Sequence, residues 1–335
     1  MKRVGVAVIG CGRMGMRRIR RITFNPNAEL IVVADADREK AVLTARQFGA
    51  AQRTDWHDAV LFPGVEAVFV STPNNSHKSI VQSALLAGRH VFCEKPLAVS
   101  VAHAQEMVSA ARASGRQLQV GSHLRYFPNV RKAKELLEDG AVGTLLSFRG
   151  TIGHGGWNPA PGSWRRDPMR SGGGAFIEIG PHMLDIARWT MGEISSGTGL
   201  IQTGRTDIMP LEDYGVGIFK TALGQTIIVE SSWSEWDSYF LLEIYGEAGL
   251  VRVDSRGGRC TTKLVLRNED RRLFDYSGLL PSSYDEETDA FLNAIRAQRP
   301  VSPDGFDGLR VVEMVSAVYT GAATGCHCDL GDLRE

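Results

Sequence analysis

The sequence predicts a two-domain protein: an α/β domain with a doubly wound parallel sheet over residues 1–122, then an α+β domain with a mostly antiparallel sheet over residues 123–335. Three observations predict it. The 335-residue chain is long enough for two ordinary domains. The first third alternates short, wholly apolar runs with amphipathic stretches, as strands buried on both faces and separated by helices do. The remainder carries a long succession of strands joined by glycine turns.

In the first domain Val4–Ile9, Leu30–Ala34, Ala67–Val70, His90–Cys93 and Leu118–Val120 read as parallel strands, with helices over about 13–24, 37–48, 76–88 and 100–114. Beyond Gly121, helices over about 126–139 and 181–191 flank a glycine-rich loop. Strands follow at Leu146–Ile152, Gly215–Thr221, Thr226–Trp233, Tyr239–Tyr245, Val251–Asp254 and Lys263–Arg267. The turns at Gly224 and Gly246–Gly249 are short enough for hairpins, which makes that sheet mostly antiparallel. Helices over about 284–297 and 307–322 close the chain.

Composition narrows the function. Lys plus Arg (38) balance Asp plus Glu (38), which argues against a nucleic acid or membrane partner. No apolar run approaches the roughly 18–20 residues that span a bilayer, and Val4–Ile9 reads as a strand rather than a signal peptide. The odd number of cysteines, five in a long chain, speaks against a disulfide framework and for a reducing, cytoplasmic setting. Cys326-His327-Cys328 supplies close thiols without a second ligand motif, so no metal is expected.

Gly10-Cys11-Gly12-Arg13-Met14-Gly15 follows the first strand and opens the first helix. In that context Gly10 allows a tight turn, Gly12 lets a pyrophosphate approach the backbone, and Gly15 lets helix pack on strand. The helix start offers free N–H groups and partial positive charge to phosphates. Asp35, twenty residues on at the end of the second strand, is placed to bond the ribose hydroxyls and to repel a 2′-phosphate. NAD is therefore expected over NADP, with Arg38 nearby as the one feature pointing the other way. Arg17, Arg18, Arg20 and Arg21 read as a solvated basic face of the same helix.

Two further stretches are more specific: Val70-Ser71-Thr72-Pro73-Asn74-Asn75-Ser76-His77 with Gly88-Arg89-His90-Val91-Phe92-Cys93-Glu94-Lys95-Pro96, and Ser171-Gly172-Gly173-Gly174 through Glu178, His182 and Asp185. With the N-terminal glycines they resemble the Gfo/Idh/MocA family, from residue 3 to about 330. The resemblance implies a Rossmann domain joined to a domain with an open, mostly antiparallel sheet. It also implies NAD(P)-dependent redox chemistry on a sugar, aminosugar or cyclitol, and a homodimer or homotetramer formed through those sheets. On this resemblance Lys95 and His182 are catalytic. Ser71, Thr72, Pro73, Asn74, His77 and Glu94 join Gly10, Gly12, Arg13, Met14, Gly15, Asp35, Arg38 and Lys95 on the cofactor side.

The chemistry asks for those residue types. When a secondary alcohol is oxidised the cofactor takes the hydride and the protein must accept the hydroxyl proton. A histidine, with its ordinary pKa of about 6.5, suits that proton. A lysine stabilises the developing alkoxide charge. Glu178 stands where the family usually has aspartate, and is expected to bind a substrate hydroxyl. Pro181 is expected to start a fresh helix, leaving Glu178 in a turn. Asp185, one helical turn after His182, either orients that histidine or caps packing, or else meets substrate. Arg125, just after the last parallel strand, is the candidate for a substrate or cofactor contact, the alternative being a hinge arginine paired with a carboxylate. The long loop 154–168 brings His154, Trp157 and Trp164 as substrate candidates and Arg165 as a cofactor candidate.

Two alternatives stay open. One is an NAD-dependent glycosidase using transient C3 oxidation, recognised by aglycone release without net NADH. The other is a non-catalytic nucleotide-sensing regulator, a version that should have lost Lys95 or His182.

Overall fold

The computed structural model describes residues 3–155, 162–267, 270–278 and 282–331. In chain order the elements are β1 (Val4–Ile9), α1 (Arg13–Phe24), β2 (Ala28–Ala34), α2 (Arg38–Phe48), β3 (Ala51–Arg53), α3 (Trp56–Val60), β4 (Ala67–Val70), α4 (His77–Leu86), β5 (His90–Cys93), α5 (Val101–Ser114) and β6 (Leu118–Val120). They continue with α6 (Pro128–Glu138), β7 (Leu145–Gly155), α7 (Pro168–Ser171), α8 (Ala175–Met191), β8 (Ile194–Gln202), β9 (Tyr214–Thr221), β10 (Thr226–Ser232) and β11 (Ser234–Gly246). The last are β12 (Gly249–Asp254), β13 (Thr261–Leu266), β14 (Arg271–Asp275), α9 (Ser283–Arg296), α10 (Gly305–Thr324) and β15 (Cys328–Asp329). The chain forms two compact units: 1–122 with 282–312, and 123–281 with 313–335.

In the first unit the strand order is β3-β2-β1-β4-β5-β6, all parallel. Every residue of β1 is buried, as a central parallel strand requires. The order reverses between β1 and β4, and ligands of such sheets bind at the carboxyl ends of the strands flanking that reversal. Helix ends follow local chemistry: Asp37 caps α2 and Ser100 caps α5, while Gly49 and Gly115 close them in the left-handed conformation.

The stretch 282–312, assigned by sequence to the second domain, packs with the first unit. Phe291 of α9 meets Phe69 and Phe92 edge-on at 5.3 and 5.6 Å between ring centres, inside the core that holds Val8 and Ile19. Burial of that aromatic face decides the placement, and its partners lie some two hundred residues earlier. The basic face expected on α1 is also corrected. Arg17 and Arg20 are exposed, but Arg18 is 1% exposed, and Arg21 pairs with Asp289 of α9 through Nε to Oδ1 at 2.8 Å. Gly15, Arg18, Ile19 and Ile22 share the inward face of the helix, so Arg18 is carried into the interior by periodicity.

In the second unit the described strands order β14-β13-β12-β11-β7-β10-β9-β8-β15; β7 and β10 are parallel and the other pairs antiparallel. One face is covered: Met183 of α8 lies where a side chain on Gly150 would project, and Val318 of α10 where one on Gly199 would. The strand β8 escaped the sequence reading because Ile194–Gln202 is rich in glycine and serine; Gly197 makes room for the Phe219 ring. No helix among the described residues is long and apolar enough to cross a membrane.

Candidate active site

The glycine turn of the first unit has the geometry that the motif requires. Gly10 has φ +95°, and a Cβ there would overlap the Ser71 carbonyl oxygen. A Cβ on Gly15 would overlap the Gly10 carbonyl oxygen, so that glycine lets α1 lie against the turn. Gly12 is different: a Cβ there would meet nothing within 4 Å. As N-cap of α1 it offers no side-chain bond, and the first turn carries no acidic residue. The helix start thus opens onto space at Gly12, with neither a side-chain cap nor a first-turn carboxylate of its own.

Asp35 closes the other side. Its Oδ2 accepts from the Cys11 amide at 2.7 Å and its Oδ1 from the Asp37 amide at 2.9 Å. The carboxylate is thereby held at the end of β2 beside the turn. Arg13 and Arg38 are exposed and Met14 is half-buried. The Ser71 hydroxyl is buried and meets no hydrogen-bond partner among the described residues. An open, uncapped helix start, a glycine with free space above it and a fixed carboxylate twenty residues on fit a dinucleotide.

Two predicted cofactor residues, His77 and Glu94, are buried and bonded to neighbouring segments. His77 is fully buried, with Nδ1 3.0 Å from the Pro96 carbonyl and Nε2 3.1 Å from the Thr72 carbonyl. It ties the Ser71–Asn74 loop to the Glu94-Lys95-Pro96 loop, and burial holds its pKa below the ordinary value. Glu94 accepts from Arg18 Nε at 2.9 Å, and its other oxygen lies 2.9 Å from where a Gly121 Cβ would stand. Arg18 continues to Glu287 at 2.5 Å and to Thr288 at 3.0 Å, and Glu287 accepts from the Ser122 amide at 2.5 Å. Lys95 follows half-buried, before a cis peptide bond to Pro96.

The second unit gathers another group. Helix α8 runs unbroken from Ala175 to Met191 with Pro181 inside, so Glu178 is helical rather than in a turn. The expected fresh start at Pro181 fails because the helix is capped from a distant segment, by Glu212. Its Oε2 accepts from the Gly174 amide at 2.8 Å and its Oε1 from the Phe176 amide at 3.0 Å. Glu178 Oε2 lies 3.7 Å from His154 Nε2 and 3.5 Å from Trp233 Nε1. His182, four residues on, meets the His123 ring edge-to-face at 4.6 Å between centres.

Arg125 is buried against Asp185, with Nε to Oδ2 at 2.7 Å and Nη2 to Oδ1 at 2.6 Å, the carboxylate pairing that was the alternative to a substrate or cofactor contact. Asp185 thus holds an arginine. Trp164 is half-buried with the Arg165 guanidinium 4.5 Å from its ring centre. Trp157 lies outside the described residues. Sequence reasoning passed over Arg18, Glu287 and Glu212, and held Trp233 only as a weaker substrate candidate at a strand end. Each acts on a partner dozens to hundreds of residues away, and none sits in a local motif. Among the described residues no group of three or more His, Cys, Asp or Glu is placed to hold a metal.

Comparison with known proteins agrees with this geometry. Residues 4–122 match the oxidoreductase family with an NAD-binding Rossmann fold, and residues 130–252 match the Gfo/Idh/MocA C-terminal domain. The chain is 34% identical to levoglucosan dehydrogenase of Pseudarthrobacter phenanthrenivorans, across 99% of this chain and 100% of that protein. It is 29% identical to inositol 2-dehydrogenase of Burkholderia lata, across 96% and 94%. A solved levoglucosan dehydrogenase in complex with NADH superposes with a TM-score of 0.89 at 27% identity, covering 99% of this chain and 100% of that one. With both domains matched and the glycine cradle formed, the chain belongs to the Gfo/Idh/MocA family of NAD-binding oxidoreductases.

Proposed function

We propose that this enzyme moves a hydride between NAD and a secondary alcohol or ketone of a sugar, aminosugar or cyclitol. The cofactor supplies the hydride chemistry, and the remaining work falls to the protein's own side chains. Gly10, Gly12 and Gly15 with the α1 amides receive the pyrophosphate, and Asp35 the ribose hydroxyls. His182 is the general acid/base at the reacting hydroxyl, Lys95 polarises the same oxygen, and Glu178 with His154 binds neighbouring hydroxyls. The observation that carries this reading is the half-buried carboxylate of Glu178 between the His154 imidazole and the Trp233 indole, one helical turn before His182. Polyols are bound by such a mixture of carboxylate, imidazole and aromatic surface. The relatives named for levoglucosan and inositol favour a cyclic polyol of that kind.

The face of the second sheet away from α8 and α10 presents Val216, Ile218, Ile228 and Leu241 at half-buried or exposed positions, beside Arg149, Glu243 and Arg252. An apolar strip among charges suits a symmetric interface, and a homodimer or homotetramer through this sheet is part of the proposal. Five free thiols, without a disulfide, support a cytoplasmic setting.

The test is a screen of levoglucosan, myo-inositol, aldoses and aminosugars with NAD and with NADP, following formation of the reduced nucleotide. Turnover of at least one cyclic polyol with NAD is expected. Lys95→Met and His182→Ala should abolish it while nucleotide binding persists. Full activity in both variants would overturn the assigned roles, and aglycone release from aryl glycosides without net NADH would favour the glycosidase.

A further inference from the structure

Helix α8 starts on Gly172-Gly173-Gly174, which offers no side-chain cap. Its first amides are nevertheless met, by a residue far along the chain. Glu212 takes three of them: Gly174 and Phe176 donate to its carboxylate, and Ala175 donates to its main-chain oxygen at 2.9 Å. The Tyr319 hydroxyl donates to Glu212 Oε1 at 2.7 Å. The glycines make this possible. A Cβ on Gly173 would overlap the Tyr319 hydroxyl, and one on Gly174 the Glu212 carbonyl oxygen. A carboxylate is favoured at this end of a helix, where the amides point outward and the dipole is positive. Burial pushes the Glu212 carboxyl up, while the Tyr319 hydroxyl and the amides act against it.

Pro181 lies inside the helix. It has no N–H to give the Ile177 carbonyl, so the ladder lacks that one bond, in the turn that carries Glu178. The segment before the proline carries Glu178. It is held at its start by Glu212 and Tyr319, and along its length by Trp233, whose amide donates to the Asp213 carbonyl at 2.8 Å. The adjacent residues Glu212 and Asp213 therefore anchor both the helix start and the indole beside Glu178. The segment after the proline carries His182 and is held by Asp185 on Arg125.

From this arrangement we infer that Glu212 and Tyr319 are positioning residues for Glu178, setting polyol binding without setting the proton transfer at His182. The inference rests on the reading of Glu178 as a polyol ligand and deepens it.

The experiment compares Glu212→Gln and Tyr319→Phe with Glu178→Gln in the full chain, using NAD and the polyol that gives most NADH in the screen above. Ser282→Ala, which removes the N-cap of α9 in the other unit, serves as the control for lost stability. Glu212→Gln and Tyr319→Phe should raise KM about tenfold and leave kcat and its pH profile within about twofold. Ser282→Ala should lower the melting temperature without moving KM. Amide exchange, read without substrate, should accelerate over 174–180 and stay slow over 182–191. Should Glu212→Gln fail to fold, Tyr319→Phe, which removes a single hydroxyl, carries the comparison. A raised KM in Glu178→Gln with none in Tyr319→Phe would overturn the inference alone, as would uniform acceleration of exchange along 174–191. An unchanged KM in Glu178→Gln would overturn the reading of Glu178 and the inference with it.

Discussion

Arg125 and Asp185 face each other through two parallel hydrogen bonds, Nε to Oδ2 at 2.7 Å and Nη2 to Oδ1 at 2.6 Å, one turn along α8 from His182. Both side chains are buried, and the Trp189 ring lies 5.1 Å from the guanidinium. Removing one partner strands a buried charge, at a cost of about 3–5 kcal/mol. Asp185→Asn and Arg125→Met should each lower unfolding stability in a urea titration. They should also lower kcat, because the same helical segment carries His182. In a double-mutant cycle the two losses should overlap strongly. Additive losses would mean that the pair is not a unit.

Gly12 and Gly15 should respond oppositely to one added methyl group. Gly15→Ala drives a Cβ into the Gly10 carbonyl and should lower the melting temperature by several degrees. Gly12→Ala meets only open space, so stability should hold while NAD affinity falls by about tenfold or more. Calorimetric titration of NAD beside thermal melts checks both. Undiminished NAD binding by Gly12→Ala would remove the cradle from the cofactor site.

Asp35→Asn keeps an oxygen for the Cys11 amide but discards the negative charge. The ratio of kcat/KM for NADP over NAD should rise by about tenfold or more, since repulsion of the 2′-phosphate is gone. Assays with the two nucleotides at one polyol concentration measure it. A ratio that stays put would show that selectivity resides elsewhere in the turn.

Arg18 lies between two carboxylates, Glu94 and Glu287. Burial pushes the Glu287 carboxyl up to about 7 from its ordinary 4.5, with the Arg18 guanidinium working against it. The folded protein therefore binds this proton more tightly than the unfolded chain. The resulting stabilisation is fully present below about 4.5 and is lost as pH rises through about 7. Glu287→Gln should flatten the fall of unfolding free energy between those pH values. Parallel pH curves for wild type and variant would refute the assignment.

Much of the first unit was legible because its signals are local. Apolar runs marked β1, β2, β4, β5 and β6, and three glycines with Asp35 marked the cradle, since a turn, a helix start and a carboxylate at fixed spacing interact within one βαβ unit. Local signals misled where a distant group intervened. Gly172-Gly173-Gly174 and Pro181 read as a break, but Glu212 caps the helix through them. Arg18 read as one of four surface arginines, but the periodicity of α1 turns it inward to two carboxylates.

The amino-acid sequence alone determined the family, the parallel and antiparallel character of the two sheets, the cofactor class and the candidacy of Lys95 and His182. The sheets and the cofactor class follow from periodicity and from a motif whose parts are coupled over a short span, whereas the family and the candidacy of Lys95 and His182 follow from a resemblance of motifs. Tertiary structure decided which charged side chains pair with which: Arg125 with Asp185, Arg18 with Glu94 and Glu287, Glu212 with the start of α8. The reason is desolvation. A buried charge must find a partner, and its identity depends on which distant segments are folded against it, a matter that residue spacing does not encode.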